Sequence, residues 1–445
     1  MKNQKYAEKI TVIGAGPAGL FAAKKLAQSN IEVALINRDI KPGGLAEYGI
    51  YYDKYKMKDG LRKQFSEILE MPNIHYFGNV TIGTKSAVKL EGLRDLGFSA
   101  ILVTVGAQGT KWLGLCGEEL EGVYHAKDIV YHYNKLPPFS SKEFSIGEKI
   151  ALIGVGNVMM DIAHWLIRDL KVSEVIAVAR RGPAEVKFSK QEMTFIGRNL
   201  DIDSLITEIN RVAPYMKAVN QSPEDAKKFV LSALPKALEP ISDTIFRFEF
   251  LSSPSRIIGT PEGKVCGLEV EDTALFLNNG DTKVKKLGTN RILGVDNVIF
   301  CIGDRVDDEF GLSVEWNEYV KNPHPQFPID GLSYEAYDKT KEEPIPDIFI
   351  AGWAREASSG LVGAARKDGS NGAESMLQYL ETLEPKKTQT AAINNLKDYL
   401  SEKNIKYVSK EEINRLEQVE RENAIRLGLK EYKMKTNQEI LEAIS

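Results

Sequence analysis

Two short apolar runs in the chain each lead into a glycine-rich turn and then into a segment with a helical pattern. The runs are Lys9–Ile13 and Lys149–Ile153, and both are rich in branched apolar residues. Runs of this kind are typical of strands buried on both faces of a parallel sheet. Residues 20–27 and 158–166, which follow the turns, have the composition of helices. The repeated order of strand, glycine turn and helix predicts two α/β units.

Further apolar runs supply the other strands of these two units. Residues 31–36 follow the first predicted helix, and Glu174–Val178 follow the second. Residues 100–105 and 298–300 have the pattern of buried strands, and a glycine lies shortly after each of them. Residues 246–275 alternate between apolar and polar positions around a Pro-Glu-Gly turn, which predicts antiparallel strands.

The first glycine turn has the sequence Gly-Ala-Gly-Pro-Ala-Gly. Gly14 permits the tight turn, Gly16 lets the backbone approach a pyrophosphate, and Gly19 lets the helix and the strand pack closely. Pro17 and Ala18 lie at the start of the helix, whose N–H groups and positive dipole end suit phosphates. The alternative is a tight turn with incidental glycines, but the flanking strand and helix favour a bound dinucleotide.

The residue expected to bind a ribose of this dinucleotide is not acidic. A carboxylate is usual at the end of the second strand, and here Asn37 takes that place, followed by Arg38 and Asp39. The amide oxygen of Asn37 can accept a hydrogen bond but carries no charge. We therefore expect Asn37 to hold the ribose more weakly than a carboxylate would.

The second glycine turn is less complete than the first. It contains Gly154, Gly156, Asn157 and Val158, and Met159 occupies the position of a third glycine. This turn alone is moderate evidence for a dinucleotide, because one of the three small residues is missing. The strand that follows identifies the ligand more closely.

Paired arginines, Arg180 and Arg181, follow the strand Glu174–Val178. A site for NAD would favour a carboxylate there, whereas guanidinium groups bind the extra 2′-phosphate of NADP through charge-assisted hydrogen bonds. A solvated basic turn is the alternative, and the position after a strand favours phosphate binding. Together the two turns predict a resident flavin dinucleotide and a visiting nicotinamide dinucleotide, an arrangement that moves electrons.

Composition restricts the chemistry further. The chain has 445 residues, 43% apolar and 27% charged, and its net charge of −4 gives no reason to expect nucleic-acid binding. No apolar run reaches the roughly 20 residues of a membrane span, and no signal peptide is visible, so we expect a cytoplasmic protein without membrane contact. Cys116, Cys266, Cys301 and five histidines show no metal-ligand or dithiol spacing. We expect no metal site, and any redox chemistry must belong to organic cofactors.

These motifs resemble those of the adrenodoxin-reductase type of ferredoxin–NADP reductase, a family of two-domain FAD enzymes. The similarity runs along nearly the whole chain. The matching segments are 42–50, 78–80, the second turn with Asp161, residues 180–183 with Phe188, and residues 352–363 with Asp368. The resemblance implies that NADPH reduces FAD and that electrons then pass singly to a ferredoxin-like iron–sulfur protein or a flavodoxin.

The resemblance also assigns residues to the two cofactors. The implied FAD contacts are Gly14, Gly16, Pro17, Ala18, Gly19, Asn37, Gly44, Leu45, Val80, Trp353, Gly360, Leu361 and Val362. The implied NADP contacts are Gly154, Gly156, Asn157, Val158, Arg180, Arg181, Glu192 and Gly360. Trp353 and the backbone of residues 360–362 would lie against the flavin ring, and Gly360 would also approach the nicotinamide.

Two positions depart from the family pattern. The family histidine near the flavin, which pairs with the aspartate matching Asp161, is Lys54 here. Lys54 and Asp161 are our candidate catalytic pair, which would orient the ring electrostatically but share a proton near neutral pH less readily than histidine does. The other departure is Asn37 in place of a glutamate. Flavin affinity and reaction rate can both differ from the family norm.

We expect an α/β protein with two Rossmann-like dinucleotide-binding domains. Residues 1–108 and 318–445 would form a discontinuous FAD domain, with an NADP domain of residues 109–317 inserted between them. Residues 386–390 predict a polar linker. A Ser-x-x-Glu capping box at 409–412 then begins a helical C-terminal extension, which we expect to pack against the FAD domain.

Three other functions stay open. The chain resembles the small subunit of glutamate synthase in part, which suggests an NADPH-dependent FAD subunit or diaphorase serving another acceptor. It lacks, however, the cysteine-rich N-terminal region of that subunit. A disulfide reductase needs a redox dithiol, and none is visible. A flavin-binding sensor without catalysis is the remaining alternative, although such a protein would not need the paired arginines.

Overall fold

The structure is a computed structural model that describes residues 8–357, 360–384 and 391–445. The described residues divide into two units. Unit 1 contains the described residues of Met1–Thr110, Tyr131–Ser141 and Gly303–Ser445, and unit 2 contains Lys111–Val130 and Lys142–Ile302. The predicted linker at 386–390 lies outside the described residues, and the domain limits given above stay predictions.

The first part of unit 1 alternates strands with helices, as the sequence predicts. Its strands are β1 (Lys9–Ile13), β2 (Glu32–Ile36), β3 (Ile74–Phe77), β4 (Ala100–Val103) and β5 (Gly109–Thr110). Its helices are α1 (Pro17–Gln28), α2 (Leu45–Tyr48), α3 (Tyr55–Leu69) and α4 (Leu90–Arg94). Helix α1 begins three residues before the predicted segment because Pro17, with its fixed φ and missing N–H, is well suited to a first helical position.

The chain between residues 111 and 302 has a second set of alternating elements. Its strands are β6 (Val123–His125), β7 (Lys149–Ile153), β8 (Glu174–Val178), β9 (Ile245–Glu249), β10 (Ser252–Gly259), β11 (Val265–Asn278), β12 (Asp281–Leu293) and β13 (Asn297–Phe300). Its helices are α5 (Ala126–Tyr133), α6 (Asn157–His164), α7 (Lys190–Thr194), α8 (Ile202–Lys217) and α9 (Pro223–Leu231). Helix α6 continues as a π-helical turn, Trp165–Leu170.

The chain then returns to unit 1. The strands there are β14 (Asp304–Arg305), β15 (Val314–Glu315), β16 (Glu318–Tyr319), β17 (Glu335–Asp338) and β18 (Glu343–Ile350). The helices are α10 (Val362–Thr382), α11 (Ala392–Glu402), α12 (Lys410–Arg426) and α13 (Asn437–Ile444). Short 3₁₀ segments lie at Phe139–Ser141, Pro183–Glu185, Gly197–Asn199, Leu234–Lys236 and Gly352–Ala354. The predicted capping box is confirmed, since Ser409 and Glu412 bond reciprocally at the start of α12.

Each unit is built on a largely parallel sheet. In the described part of unit 1, six strands lie in the order β17-β18-β4-β1-β2-β3, and all neighbours are parallel except β17 and β18. In the described part of unit 2, five parallel strands lie in the order β6-β13-β7-β8-β9. Strands β1 and β7 are interior strands of their sheets, so the glycine turns that follow them lie at the carboxyl edge, where α/β proteins bind ligands.

The antiparallel prediction for residues 246–275 is correct only in part. Strands β10 and β11 pair antiparallel across the predicted turn, and β12 extends this sheet. The prediction is wrong for β9, which pairs parallel with β8. Because β9 is an edge strand, its two faces differ in exposure, with Phe246 and Phe248 buried and Arg247 and Glu249 half-buried. This alternation imitates the pattern of an antiparallel strand.

Candidate dinucleotide sites

Hydrogen bonds from neighbouring segments hold the first glycine turn in place. The N–H of Gly14 donates to the carbonyl of Ile36 at 2.7 Å, and the N–H of Gly43 donates to the carbonyl of Ala15 at 2.7 Å. The N–H of Ala15 donates to Oδ1 of Asn37 at 3.0 Å. These bonds fix the turn against both β2 and the segment that follows it.

The three glycines of this turn serve two different purposes. Gly14 has φ of +105°, and a Cβ there would lie 2.5 Å from the carbonyl oxygen of Thr104. A Cβ on Gly19 would clash with the carbonyl oxygen of Gly14, so close packing excludes any side chain. A Cβ on Gly16, by contrast, would have no described atom within 4 Å. The open space over Gly16, beside the start of α1, fits a pyrophosphate that approaches the backbone.

Asn37 organises the turn rather than pointing out of it. Its side chain is 6% exposed, and its Nδ2 donates to the carbonyls of Asp39 at 2.8 Å and Lys41 at 3.1 Å. The same Nδ2 lies 3.3 Å from the hydroxyl of Tyr76. An aspartate could not make these donations. The replacement of the usual carboxylate is therefore matched by a local network that needs an amide, and the contact of Asn37 with a ribose stays a prediction.

The segment after Asn37 places two positive-φ glycines beside the turn. Gly43 has φ of +113° and Gly44 has φ of +50°, and a Cβ on Gly44 would lie 3.1 Å from the Cα of Gly16. Leu45 begins α2 and is half-buried. Val80, another predicted flavin contact, is buried, and its N–H donates to the carbonyl of Asn37 at 2.9 Å. The structure thus gathers these residues around one turn.

Asp368 fixes the start of the glycine-rich stretch 352–363. This residue is part of the family match in the sequence but has no predicted role there. The N–H of Gly352 donates to its Oδ2 at 2.6 Å, and Arg355 pairs with Oδ1 at 2.7 Å. Trp353, next along the chain, is half-buried. The structure therefore holds the peptide between Ala351 and Gly352 in a fixed orientation.

The end of the same stretch presents backbone and an exposed apolar side chain. Gly360 has φ of +71°, Leu361 is 73% exposed, and Val362 begins α10. An exposed leucine beside a positive-φ glycine fits a surface that a flat ligand would cover. Residues 358 and 359 lie outside the described residues. The contacts predicted for residues 360–362 stay predictions.

The second glycine turn repeats the backbone scheme of the first. The N–H of Gly154 donates to the carbonyl of Val178 at 2.9 Å, and the N–H of Lys187 donates to the carbonyl of Val155 at 2.8 Å. A Cβ on Gly156 would have no described atom within 4 Å, just as at Gly16. The space beside this turn is therefore also open to a pyrophosphate.

Helix α6 starts directly after this turn. Asn157, its first residue, accepts a hydrogen bond from the N–H of Ser189 through Oδ1 at 2.9 Å. The next residue, Val158, is 44% exposed. Asn157 thus links the start of α6 to Ser189, the residue directly before α7. Helix α7 contains Glu192.

The paired arginines after β8 differ from each other. Arg180 is exposed, and its side chain makes no ion pair with any residue that the structure describes. The guanidinium of Arg181 binds the carboxylate of Glu185. Arg180 is therefore the arginine most available to an anion, whereas a phosphate at Arg181 would compete with a carboxylate.

The remaining predicted residues are distributed over both units. Lys54 precedes α3 in unit 1 and is half-buried, and Asp161 lies in α6 of unit 2 and is also half-buried. Glu192 lies in α7 of unit 2, where its N–H donates to the capping hydroxyl of Ser189 at 3.3 Å. The functional roles predicted for Lys54, Asp161 and Glu192 are still predictions.

A buried charge network around α2 has no counterpart among the sequence predictions. Glu47 and Lys433 are 3% and 4% exposed, and Nζ of Lys433 lies 2.5 Å from Oε1 of Glu47. A second pair, Lys41 and Glu420, is also buried, with 2.6 Å between Nζ and Oε2. The partners are too far apart in sequence for spacing to reveal them.

Comparison with known proteins supports the two-site interpretation. A family model described as pyridine nucleotide-disulphide oxidoreductase matches residues 8–197. The NADPH-ferredoxin reductase FprA of Mycobacterium leprae is 26% identical over 402 residues, which cover 83% of this chain and 84% of that protein. The mitochondrial NADPH:adrenodoxin oxidoreductase of Drosophila melanogaster is 31% identical over 379 residues, covering 80% of this chain and 77% of that protein.

A solved structure shows the same fold. Mycobacterium tuberculosis FprA in complex with NADPH matches with a TM-score of 0.81 and 23% identity, covering 98% of this chain and 99% of that one. The predicted fold class is thereby confirmed. None of the described helices combines the length and apolar character that a membrane crossing requires. The three cysteines are free thiols, with Cys116 and Cys266 exposed and Cys301 buried.

Proposed function

Because the chain belongs to the family of NADPH:adrenodoxin oxidoreductases and NADPH-ferredoxin reductases, we propose that it is an NADPH-dependent FAD enzyme that reduces an iron–sulfur protein of the ferredoxin type or a flavodoxin. The observation that carries the proposal is the pair of glycine turns, each with open space over its middle glycine, Gly16 or Gly156. A bound flavin supplies chemistry that side chains lack, since it takes up two electrons together and returns them one at a time.

Unit 1 holds FAD in this proposal. The backbone at Gly16 and the N-terminal N–H groups of α1 bind the pyrophosphate, because they offer donors and no side chain intrudes. Asn37 keeps the turn in shape through its bonds to Ala15, Asp39 and Lys41. Val80, Trp353 and residues 360–362 form the predicted surface for the flavin ring.

Unit 2 holds NADPH. The backbone at Gly156 and the start of α6, with Asn157 and Val158, bind the pyrophosphate. Arg180 binds the 2′-phosphate directly, and Arg181 adds to the positive potential while sharing its charge with Glu185. Glu192 binds the adenosine part. The preference for NADPH over NADH therefore rests chiefly on Arg180.

The proposal assigns Lys54 and Asp161 a supporting part. A lysine and an aspartate stabilise charge by electrostatics, and neither is required as a nucleophile. Lysine shares a proton near neutral pH less readily than the histidine that it replaces. We propose that this pair orients the cofactors and transfers no proton. The cytoplasmic location predicted above also stays a prediction.

Rapid mixing of the purified full-length protein with NADPH tests the function. The flavin absorbance should bleach with NADPH much faster than with NADH, and a panel of ferredoxins and flavodoxins should then reoxidise the flavin. A yellow protein that NADPH does not bleach would not be this enzyme. Bleaching without transfer to any ferredoxin or flavodoxin would contradict the acceptor and favour a diaphorase or a subunit with another partner.

A further inference from the structure

The C-terminal extension carries charged side chains into the interior of unit 1, beside residues 42–46, which include the predicted FAD contacts Gly44 and Leu45. We propose that Glu420 and Lys433 are positioning residues. They form ion pairs with the residues that flank residues 42–46 and hold this segment in the shape that binds FAD. The inference rests on the proposed function, because it assumes that unit 1 binds FAD. The two ion pairs are Lys41–Glu420 and Glu47–Lys433.

The two pairs bracket the segment in sequence and are both buried. Lys41 directly precedes residues 42–46, and its Nζ lies 2.6 Å from Oε2 of Glu420 in α12, with each side chain 9% exposed. Glu47 directly follows the segment, and its Oε1 lies 2.5 Å from Nζ of Lys433 beyond α12. The extension thus contacts both ends of one short stretch.

Further contacts fix Lys433 in place. Its Nζ lies 4.8 Å from the centre of the Tyr48 ring and donates to the backbone carbonyl of Asn134 at 3.3 Å. Arg62 adds a bidentate contact to Glu47, with Nε at 2.7 Å and Nη2 at 2.6 Å, and also binds Glu431. Lys433 and Arg62 together hold the pKa of the Glu47 carboxyl far below its usual range, although burial opposes this.

Two of the five residues in this segment are glycines, so its own side chains contribute little to holding its shape. Gly43 and Gly44 both have positive φ and lack side chains that could pack. Gly44 lies close to the first glycine turn, since a Cβ on it would be 3.1 Å from the Cα of Gly16. A shift of this segment would therefore change the space over Gly16. Buried ion pairs are directional, and removing one partner leaves an uncompensated charge.

The test compares FAD binding by full-length apoprotein variants. Lys433→Met keeps a similar side-chain length but removes the charge, and it should raise the FAD dissociation constant at least tenfold. In variant protein saturated with FAD, the visible circular dichroism of the flavin should also change, because the ring is held differently. Lys430→Met is the matched control, since Lys430 is an exposed cation of the same segment, over the Tyr55 ring. It should bind FAD within twofold of the wild type.

A double variant separates positioning from general damage. If Lys433 acts through Glu47, the loss in Glu47→Gln/Lys433→Met should be smaller than the two single losses combined, and NADP⁺ affinity should not change in any variant. Additive losses, or a Lys433→Met variant that binds FAD like the wild type, would overturn the inference. If Lys433→Met does not fold, Glu420→Gln gives the same test, and unchanged FAD affinity there overturns it. A wild type that binds no FAD would instead overturn the proposed function.

Discussion

The two glycine turns share a backbone scheme and differ in the side chains that support it. In each, the first glycine donates to the last residue of the strand that follows the turn, Ile36 of β2 in unit 1 and Val178 of β8 in unit 2. In unit 1 the residue after that strand is Asn37, whose amide binds three backbone groups. In unit 2 the corresponding residue is Ala179, which has no polar side chain.

Two further positions show the same contrast. Thr104 donates through Oγ1 to the carbonyl of Gly14 at 2.8 Å, whereas Cys301, at the equivalent strand end, bonds within its own strand. The packing around Gly19 leaves no room for a side chain, whereas unit 2 accommodates the fully buried side chain of Met159 at the equivalent position. Unit 1 therefore holds its turn with side chains and close packing.

This difference suits the two proposed ligands. A turn that is rigid before binding loses less conformational entropy when the ligand arrives, which favours a tightly held cofactor. Unit 2 fixes its turn mainly by backbone bonds and offers an exposed arginine, which suits a substrate that must also leave. The same motif thus serves retention in one unit and exchange in the other.

The largest expected effect comes from Gly19→Ala. The new Cβ would clash with the carbonyl oxygen of Gly14, so α1 must move away from β1. We expect a loss of about 3 kcal/mol or more in unfolding free energy and loss of FAD binding. Urea unfolding and flavin content measure both. Gly60→Ala is the control, because a Cβ there would meet no described atom within 4 Å. Equal stability of the two variants would contradict the close packing.

Arg180→Ala should have the next largest effect, on unit 2. Charge-assisted hydrogen bonds contribute about 1.5–3 kcal/mol, so the KM for NADPH should rise roughly tenfold to a hundredfold. Arg181→Ala should have a smaller effect, because Glu185 already occupies that guanidinium. Neither change should alter the KM for NADH appreciably. Steady-state kinetics with both nucleotides measure these values, and equal losses for NADPH and NADH would remove the 2′-phosphate assignment.

The sequence predicted the features that depend on local pattern. The runs Lys9–Ile13, Lys149–Ile153 and Glu174–Val178 form strands with the predicted bounds, because buried parallel strands are uniformly apolar. Glycine spacing located both turns, and the capping box at Ser409 was visible because its two residues are three apart. Fold and family followed from these local signals.

Features that depend on tertiary contacts could not be predicted. The sequence alone predicts a weakened ribose ligand at Asn37, and only the fold shows that the carbonyls of Asp39 and Lys41 accept hydrogen bonds from its amide. The partnership of Glu47 and Lys433 joins residues from opposite ends of the chain. The apolar and polar alternation of β9 predicts an antiparallel strand, whereas β9 is a parallel strand at the edge of its sheet.

Asn37→Asp tests the role that the structure gives to this amide. Restoring the usual acidic residue should lower the stability of unit 1, because a carboxylate cannot donate hydrogen bonds to the carbonyls of Asp39 and Lys41. We expect a loss of about 1–3 kcal/mol in unfolding free energy and weaker FAD binding. Asn30→Asp, an exposed change of the same kind, is the control. Tighter FAD binding in Asn37→Asp would show that a ribose contact outweighs the network.

The smallest expected effect is on the pH dependence of the unfolding free energy, and it comes from a lysine buried in unit 1. Lys58 in α3 is 1% exposed, and its Nζ donates to Oδ1 of Asn134 at 2.6 Å. Burial, helped by the nearby charge of Lys433, lowers the pKa of Lys58 to about 7, although Glu47 and Glu431 oppose the shift. The folded protein therefore loses this proton at a lower pH than the unfolded chain does.

Between the folded pKa of about 7 and the ordinary value of 10.5, the unfolded chain binds more protons at Lys58, so the contribution of this group to stability rises with pH. From pH 7 to pH 8 the gain from this group is about 1 kcal/mol. Lys58→Met should remove that gain, while Lys56→Met, an exposed lysine of the same helix, should keep it. Urea unfolding of the three proteins at both pH values measures the difference. Parallel changes in wild type and Lys58→Met would mean that Lys58 stays charged, with its buried charge stabilised by Asn134, Glu47 and Glu431.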